Sequence, residues 1–199
     1  STAVETPGKK KKILMLSDHA LSTSGVGTQS RHLINGLLEK NTWTIRQFGA
    51  AMKHEDYNVV KISDDFIIKP IDGFGNKEML RVALATEKPD ILFLFTDPRF
   101  YFWLFEMEDE IHQMCPIVWW HVWDNKPYPE FNEPFYESTD LINCHSHHTY
   151  TQLVEKFPEK VNFIPHSLPP EVFFEIPDSE KITYKTNVLG KERADQASF

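Results

Sequence analysis

Side chains able to hold a hydroxyl, a sugar or a proton collect at five points of the chain: Ser17-Asp18, Thr96-Asp97, His121 to Asn125, His145-Ser146 and His166-Ser167. Each point directly follows a short apolar run. Carboxylates, imidazoles and hydroxyls there offer donors and acceptors in combination. Taken singly, each is also what a polar loop would show. A sixth feature lies after the first run, where small polar residues lead into Gly25-Val26-Gly27-Thr28. Glycines there allow a tight turn and close backbone approach by a ligand. The first N–H groups of a following helix lack partners and aim at whatever binds, so an anion or a sugar-phosphate would be welcome. A Gly-x-Gly alone reads equally as a plain turn between strand and helix.

Other chemistries fit less well. Cys144, His145, His147 and His148 form a compact stretch of metal-ligating types. Zinc ligands must converge, however, and neighbours across a strand end and a helix start point apart. No metal site is expected. Ser17 and Ser24 lack a nucleophile-elbow pattern, and Cys144 has no activating partner in sequence. Gly-Lys-Ser/Thr does not occur, which excludes a P-loop. A dinucleotide fingerprint wants a third glycine where Ser30 stands, and an acid at the end of the second strand, where 42–51 holds none. Trp119, Trp120 and Trp123 could each offer a ring face to a sugar, but indoles in a strand are more often core, which is the expectation for two of the three.

The elements that must position these residues follow from periodicity. Ile13-Leu14-Met15-Leu16 is the continuous apolar run of a parallel strand buried on both faces. Val26, Leu33, Ile34, Leu37 and Leu38 then fall on one helical stripe. Further strands are expected at 42–49, in the two short pieces 58–63 and 65–71, and at 90–95, 116–121, 140–144 and 161–165. Helices are expected at 77–87 behind an Asn76 cap, at 99–113, near 132–138, and at 147–157 behind Ser146. The stripe of the 99–113 helix is Phe100, Trp103, Leu104, Met107 and Ile111. Strands alternating with helices mean an α/β domain: a Rossmann-like, mostly parallel sheet with helices on both faces. Ligands of such sheets bind outside the carboxyl ends of the strands, where the polar points lie.

Composition sets outer bounds. The 199 residues carry a formal charge of −8, which argues against a general nucleic-acid binder. The one basic run, Lys9 to Lys12, belongs to a polar segment read as a solvated tail over 1–12. Cys115 and Cys144 read as buried reduced thiols, which points to a cytoplasmic protein. No apolar stretch approaches the roughly 20 residues that span a bilayer, although peripheral membrane contact stays open. The domain is expected over 13–177, with 178–199 a linker or peripheral helix.

Four stretches resemble the N-terminal half of retaining GT-B glycosyltransferases, the large group 1 / family 4-like family that takes nucleotide-activated sugars. They are ILMLSDHALSTSGVGTQSRHLINGLLE, IVWWHVWDN, CHSHHTYTQLVEKFPEKVNFIPHSLPPEVFF and the tail LGKERADQASF. Their order and spacing match that family's first strand and glycine turn, its strand ending in histidine before an acid, its Ser-headed helix, and the link to its second domain. Gly25-Val26-Gly27 replaces the family's Gly-Gly pair, and His166-Ser167 replaces the Asn-Gly of its "Pro-Asn-Gly" element.

The resemblance implies that His121 lies beside the transferred sugar as a hydrogen-bond partner and that Asp124 orients sugar or acceptor hydroxyls. Gly25, Val26, Gly27, Thr28, Thr96, Asp97, Trp123, Ser146 and His166 would line the substrate site. The family binds its nucleotide-sugar mainly in a second domain, for which 199 residues leave no room. The chain would then be an acceptor-side half that binds no cofactor itself. A donor domain and an unknown sugar acceptor would be its partners, and alone it would not turn over. A nucleotide- or dinucleotide-binding Rossmann domain and a non-catalytic flavodoxin-like interaction module are the competing readings.

Overall fold

Apolar runs become strands because a residue flanked by two layers of helix must be apolar on both sides of the sheet. In the computed structural model, which describes residues 8–50, 57–121, 123, 129–166, 168, 170–171 and 175–190, eight strands form one sheet. They are β1 (Lys11–Asp18), β2 (Trp43–Ala50), β3 (Val60–Ser63), β4 (Phe66–Pro70), β5 (Ile91–Thr96), β6 (Ile117–His121), β7 (Leu141–Cys144) and β8 (Val161–Phe163). Their order is β3-β4-β2-β1-β5-β6-β7-β8. Every neighbouring pair is parallel except the edge hairpin of β3 with β4. The expected Rossmann-like α/β architecture is what the chain adopts.

The route of the chain decides which face each helix covers. From β1 to β2 it steps one way, through α1 (Gly25–Glu39). From β4 onward it crosses to β5 and then steps the other way through α2 (Lys77–Glu87), α3 (Phe102–Phe105), α4 (Glu108–His112), α5 (Glu133–Ser138) and α6 (His147–Val154). Right-handed crossovers therefore put α1 on one face and α2 to α6 on the other. The core divides accordingly. Leu14, Leu16, Leu94, Trp119 and Ile142 pack with Leu80, Leu104, Ile111, Tyr136 and Leu153. Ile13, Met15, Ile45, Phe95 and Trp120 pack with Ile34, joined by Val26, Leu33, Leu37 and Leu38 of the predicted stripe.

Sequence and structure differ in three places. The glycines are not a loop: Gly25 and Gly27 belong to the first turn of α1, which begins at its Ser24 cap. The expected helix over 99–113 is broken into a 3-10 turn at Pro98–Tyr101, then α3, then α4. Phe105 and Met107 are both buried, yet they lie on opposite sides of a regular helix, so one unbroken helix could not bury both. Phe100, from the predicted stripe, is exposed and stacks on Phe74 instead. The basic run is also not simply a tail. Lys11 and Lys12 begin β1, Lys10 pairs with Asp65, and Lys12 pairs with Glu87 at 2.9 Å. Cys115 and Cys144 are free and buried, as expected.

The chain divides into two units, Ser1–His166, which holds the sheet, and Ser167–Phe199, whose described part centres on α7 (Asp178–Leu189). No described helix is long and apolar enough to cross a membrane.

The two glycines of α1 do different work. A Cβ on Gly27 would stand 2.0 Å from Ser22 Oγ and 2.7 Å from the His19 carbonyl, whereas one on Gly25 would meet nothing within 4 Å. Gly27→Ala should cost about 1–3 kcal/mol through overpacking. Gly25→Ala should be neutral or stabilise by up to about 1 kcal/mol, since alanine favours the helix. Urea denaturation of both variants checks this; equal losses would contradict it.

Candidate functional site

The carboxyl ends of the parallel strands line up in two rows, one on each face. Thr96 pairs with His121 and His121 with Cys144. Ser17 is opposite Phe95, so Asp18 follows beside Thr96. Alternation puts Asp18, Thr96, His121 and Cys144 on the face of α2 to α6. One residue earlier, Ser17, Phe95, Trp120 and Asn143 form the row on the face of α1. Strand order reverses between β1 and β5, the point at which such sheets open a crevice.

The turn from β1 into α1 is built by hydrogen bonds from below. Gln47, fully buried on β2, donates from Nε2 to Ser17 Oγ (2.7 Å) and the Asp18 carbonyl (2.9 Å). Its Oε1 accepts from the Ala20 N–H at 3.1 Å. Gly49, next but one along β2, leaves room for the His19 ring, which a Cβ there would meet at 2.6 Å. Ser24 Oγ accepts from the Gly27 N–H (2.9 Å) and donates to Asp18 Oδ2 (2.8 Å). Its one hydrogen is thereby used, so Ser22 donates in the 3.1 Å Ser22–Ser24 contact.

This arrangement changes what the glycine turn can hold. The Gly25 and Val26 N–H groups, first in the helix, have no carbonyl one turn back. The protein's own Asp18 carboxylate already lies at that helix start, tied to the capping serine. A phosphate arriving there would meet a like charge, while a ligand hydroxyl could donate to Asp18.

His121 ends β6 and is fully buried. Its Nε2 shares a 2.7 Å hydrogen bond with Tyr136 Oη, and its ring lies 4.4 Å from that of Trp119. In either tautomer Nδ1 has no partner among the described residues. Burial pushes the imidazole down to about 3, against a weaker upward pull from Asp97. The ring is therefore neutral at ordinary pH and acts as a hydrogen-bonding group. Tyr101, from the turn after β5, is also fully buried on this face, its hydroxyl without a partner among the described residues; burial, then Asp18, pushes its pKa up.

The other predicted residues occupy definite places. Thr96 ends β5, and its carbonyl accepts from Trp119 Nε1 at 3.0 Å. Asp97 caps the following turn, accepting from the Arg99 backbone N–H at 3.0 Å and from its guanidinium. Burial raises the Asp97 pKa, but the Arg99 bonds outweigh it and hold the carboxyl below its ordinary value. Ser146 caps α6, accepting from the Thr149 N–H at 3.2 Å, so its hydroxyl serves the helix. The Trp123 carbonyl accepts from Thr149 Oγ1, and its ring meets Phe131 edge-on at 5.9 Å. Asp124 lies outside the described residues.

Gly25 to Thr28, Thr96, Asp97 and His121 thus share the carboxyl end of the sheet, but not one face. His166 stands on the α1 face, edge-on to Phe95 and Trp120 at 5.6 Å each. Sequence reasoning missed Gln47, Tyr101, Tyr136 and Asn143, none of which belongs to a spaced motif. Among the described residues no cluster of histidine, cysteine or carboxylate could hold a metal ion. A hollow of about 340 Å³ between Phe102, Phe105, Pro134 and Phe135 shares no residue with this end of the sheet. No family model matches the chain, and no curated protein matches it either.

His121, fully buried, and His166, partly buried, make stability pH-dependent. The folded His121 stays near 3 while an unfolded histidine titrates near 6.5. His166 behaves alike, lowered to about 4 by burial and then by His145. Between those values the unfolded chain binds protons that the folded one does not, so stability is full above about pH 6.5 and falls on acidification. In urea titrations at stepped pH, His121→Gln should flatten this fall by up to about 1.4 kcal/mol per pH unit. An unchanged slope would count against a neutral buried imidazole.

Proposed function

We propose that this domain is the acceptor-side half of an enzyme that transfers a sugar from a nucleotide-sugar to a hydroxyl-bearing acceptor. The observation that carries the reading is Asp18, a carboxylate bonded to the Ser24 cap at the start of α1 and beside the switch between β1 and β5. It suits a hydroxyl better than a diphosphate. Sugar transfer needs an acceptor hydroxyl held against the anomeric carbon, and a carboxylate accepting from that hydroxyl can fix its direction. His121, neutral and fully buried one strand beyond β5, would back the place of the transferred sugar, with Tyr136 setting the ring's orientation. Asp124 would orient hydroxyls from the loop after β6. The departing diphosphate would be stabilised from a donor-binding domain, since the Asp18 carboxylate puts a like charge at the start of α1. Sequence resemblance to GT-B transferases and the Rossmann-like fold support the reading together.

The dinucleotide reading is less well supported. β2 ends in Phe48, Gly49 and Ala50, none of which can accept from a ribose hydroxyl with its side chain. Calorimetric titration separates the two. The acceptor-side reading expects no measurable NAD binding and weak or no binding of nucleotides and nucleotide-sugars by this chain; saturable NAD binding would overturn it. In the enzyme with its donor domain present, Asp18→Asn should raise the acceptor KM and lower kcat/KM by about tenfold, the loss of one charge-assisted hydrogen bond. Unchanged kinetics would remove Asp18 from the site.

A further inference from the structure

Phe102 and Phe105 of α3 and Phe135 of α5 form one aromatic cluster on the outer side of the sheet's α2 to α6 face. Phe105 and Phe135 are buried, with ring centroids 4.6 Å apart. Phe102, one turn before Phe105, meets Phe135 edge-on at 5.9 Å and yet is 58% exposed. A ring of that size left open on a packed cluster is apolar area that a partner could cover. The cluster lines the hollow of about 340 Å³, with α3 and the start of α4 as one wall and α5 as the other. A space of this size seats a side chain or two, not a folded domain.

The charges around the hollow are of one sign. Among the described residues Glu106, Glu108 and Glu137 line it, and no lysine, arginine or histidine does. Ser138 lines it too, but its hydroxyl donates to the Pro134 carbonyl at 2.6 Å and is used within α5. Other acids of these helices have cations of their own: Glu110 pairs with Arg81 at 2.8 Å, and Glu133 pairs with Lys156. Glu106 is held by Lys77 at 2.6 Å. Glu108 and Glu137, one on each wall, enter no ion pair among the described residues. Open carboxylates on both sides of an exposed ring favour a partner with an apolar centre and cations flanking it. A small amine answers one carboxylate only. A polypeptide carries several cations spaced along its backbone, with an apolar side chain between them.

We infer that this hollow docks a basic, apolar segment of another protein. One large apolar side chain of the segment seats against Phe102, Phe105 and Phe135, and lysines or arginines on either side of it lie over Glu108 and Glu137. The aromatic centre supplies the affinity, and the carboxylate rim selects the partner. The hollow shares no residue with the Asp18 crevice, so the inference does not depend on the sugar-transfer reading.

The test is selection of a random dodecapeptide library, displayed on phage, against the purified chain, followed by fluorescence anisotropy with the enriched peptides made synthetically. Enriched sequences should carry a large apolar residue with lysine or arginine within about three positions on each side. Their affinity should fall about tenfold in Phe102→Ser, a change at an exposed position that leaves the core intact. In the double variant Glu108→Gln with Glu137→Gln it should fall about fivefold and depend less on salt. Selection of no peptide, or of acidic or uncharged ones, would overturn the inference. So would peptides that bind folded Phe102→Ser as tightly as the parent chain. A chain that self-associates in sedimentation and turns monomeric in Phe102→Ser would also overturn it, giving this face to a second copy.

Discussion

One buried amide holds the functional end of this sheet in shape. Gln47 has no water to turn to, and it gives both kinds of hydrogen bond to the first crossover: two from its nitrogen to Ser17 and Asp18, one received from Ala20. A buried side chain satisfied in this way locks the turn, because any other path would leave its donors and acceptor bare at a cost of about 1–3 kcal/mol each. Everything after the turn inherits that position. Asp18 is presented to Ser24, Ser24 caps α1, and Gly27 lets the helix start press against Ser22 and His19. The charge at the helix start is thus set by a residue on a neighbouring strand. That charge decides between hydroxyl and phosphate.

The order in which strands join the sheet accounts for the separation of the two histidines His121 and His166. The steps from β4 to β8 all run one way, so their crossover helices share one face and bury His121 among Trp119 and Tyr136. Only α1 lies on the other face. There the row Phe95, Trp120 and Asn143 is met by the chain leaving β8, which brings His166 back over it. One sheet edge therefore carries two chemical environments. One holds the neutral His121 imidazole between Trp119 and Tyr136, and the other is the aromatic row of Phe95 and Trp120 met by His166.

How much of this could be read from the sequence follows from how each feature is encoded. Strands such as Ile13 to Leu16 and Ile91 to Phe95 were legible because burial on both faces demands an unbroken apolar run. Ser24, Asn76 and Ser146 cap their helices through contacts three residues away, which is a local signal; the last two were read directly. The end of the sheet that would bind ligand was legible too, since polar residues follow each strand. The break within 99–113 was not, because Phe105 and Met107 both bury themselves in a core completed by distant segments. Gln47, Tyr136 and Asn143 escaped for the same reason. Each matters through a partner about fifteen or more residues away, and no spacing rule encodes that. The face on which His121 points needed the register of β5, β6 and β7 together.

The two ends of the sheet differ in how fully their polar groups are satisfied, and the difference has a direction. At the amino ends carboxylates close the strands: Asp90 accepts from the Lys12 N–H at 2.8 Å, and Asp140 accepts from the Ile117 N–H at 2.7 Å and from His112 at 2.9 Å. Thr44 donates to Asp65 at 3.1 Å in the same region. At the carboxyl ends buried atoms of Trp120, His121 and Asn143 go without. Each such atom costs stability that an apolar residue of similar shape would not. Among the described residues, buried atoms of Ser30 on α1, Trp103 on α3 and Asn132 before α5 lack protein partners too, so what sets the carboxyl end apart is its place: ligands of parallel sheets bind outside the strands' carboxyl ends, where Asp18, Thr96 and His121 stand.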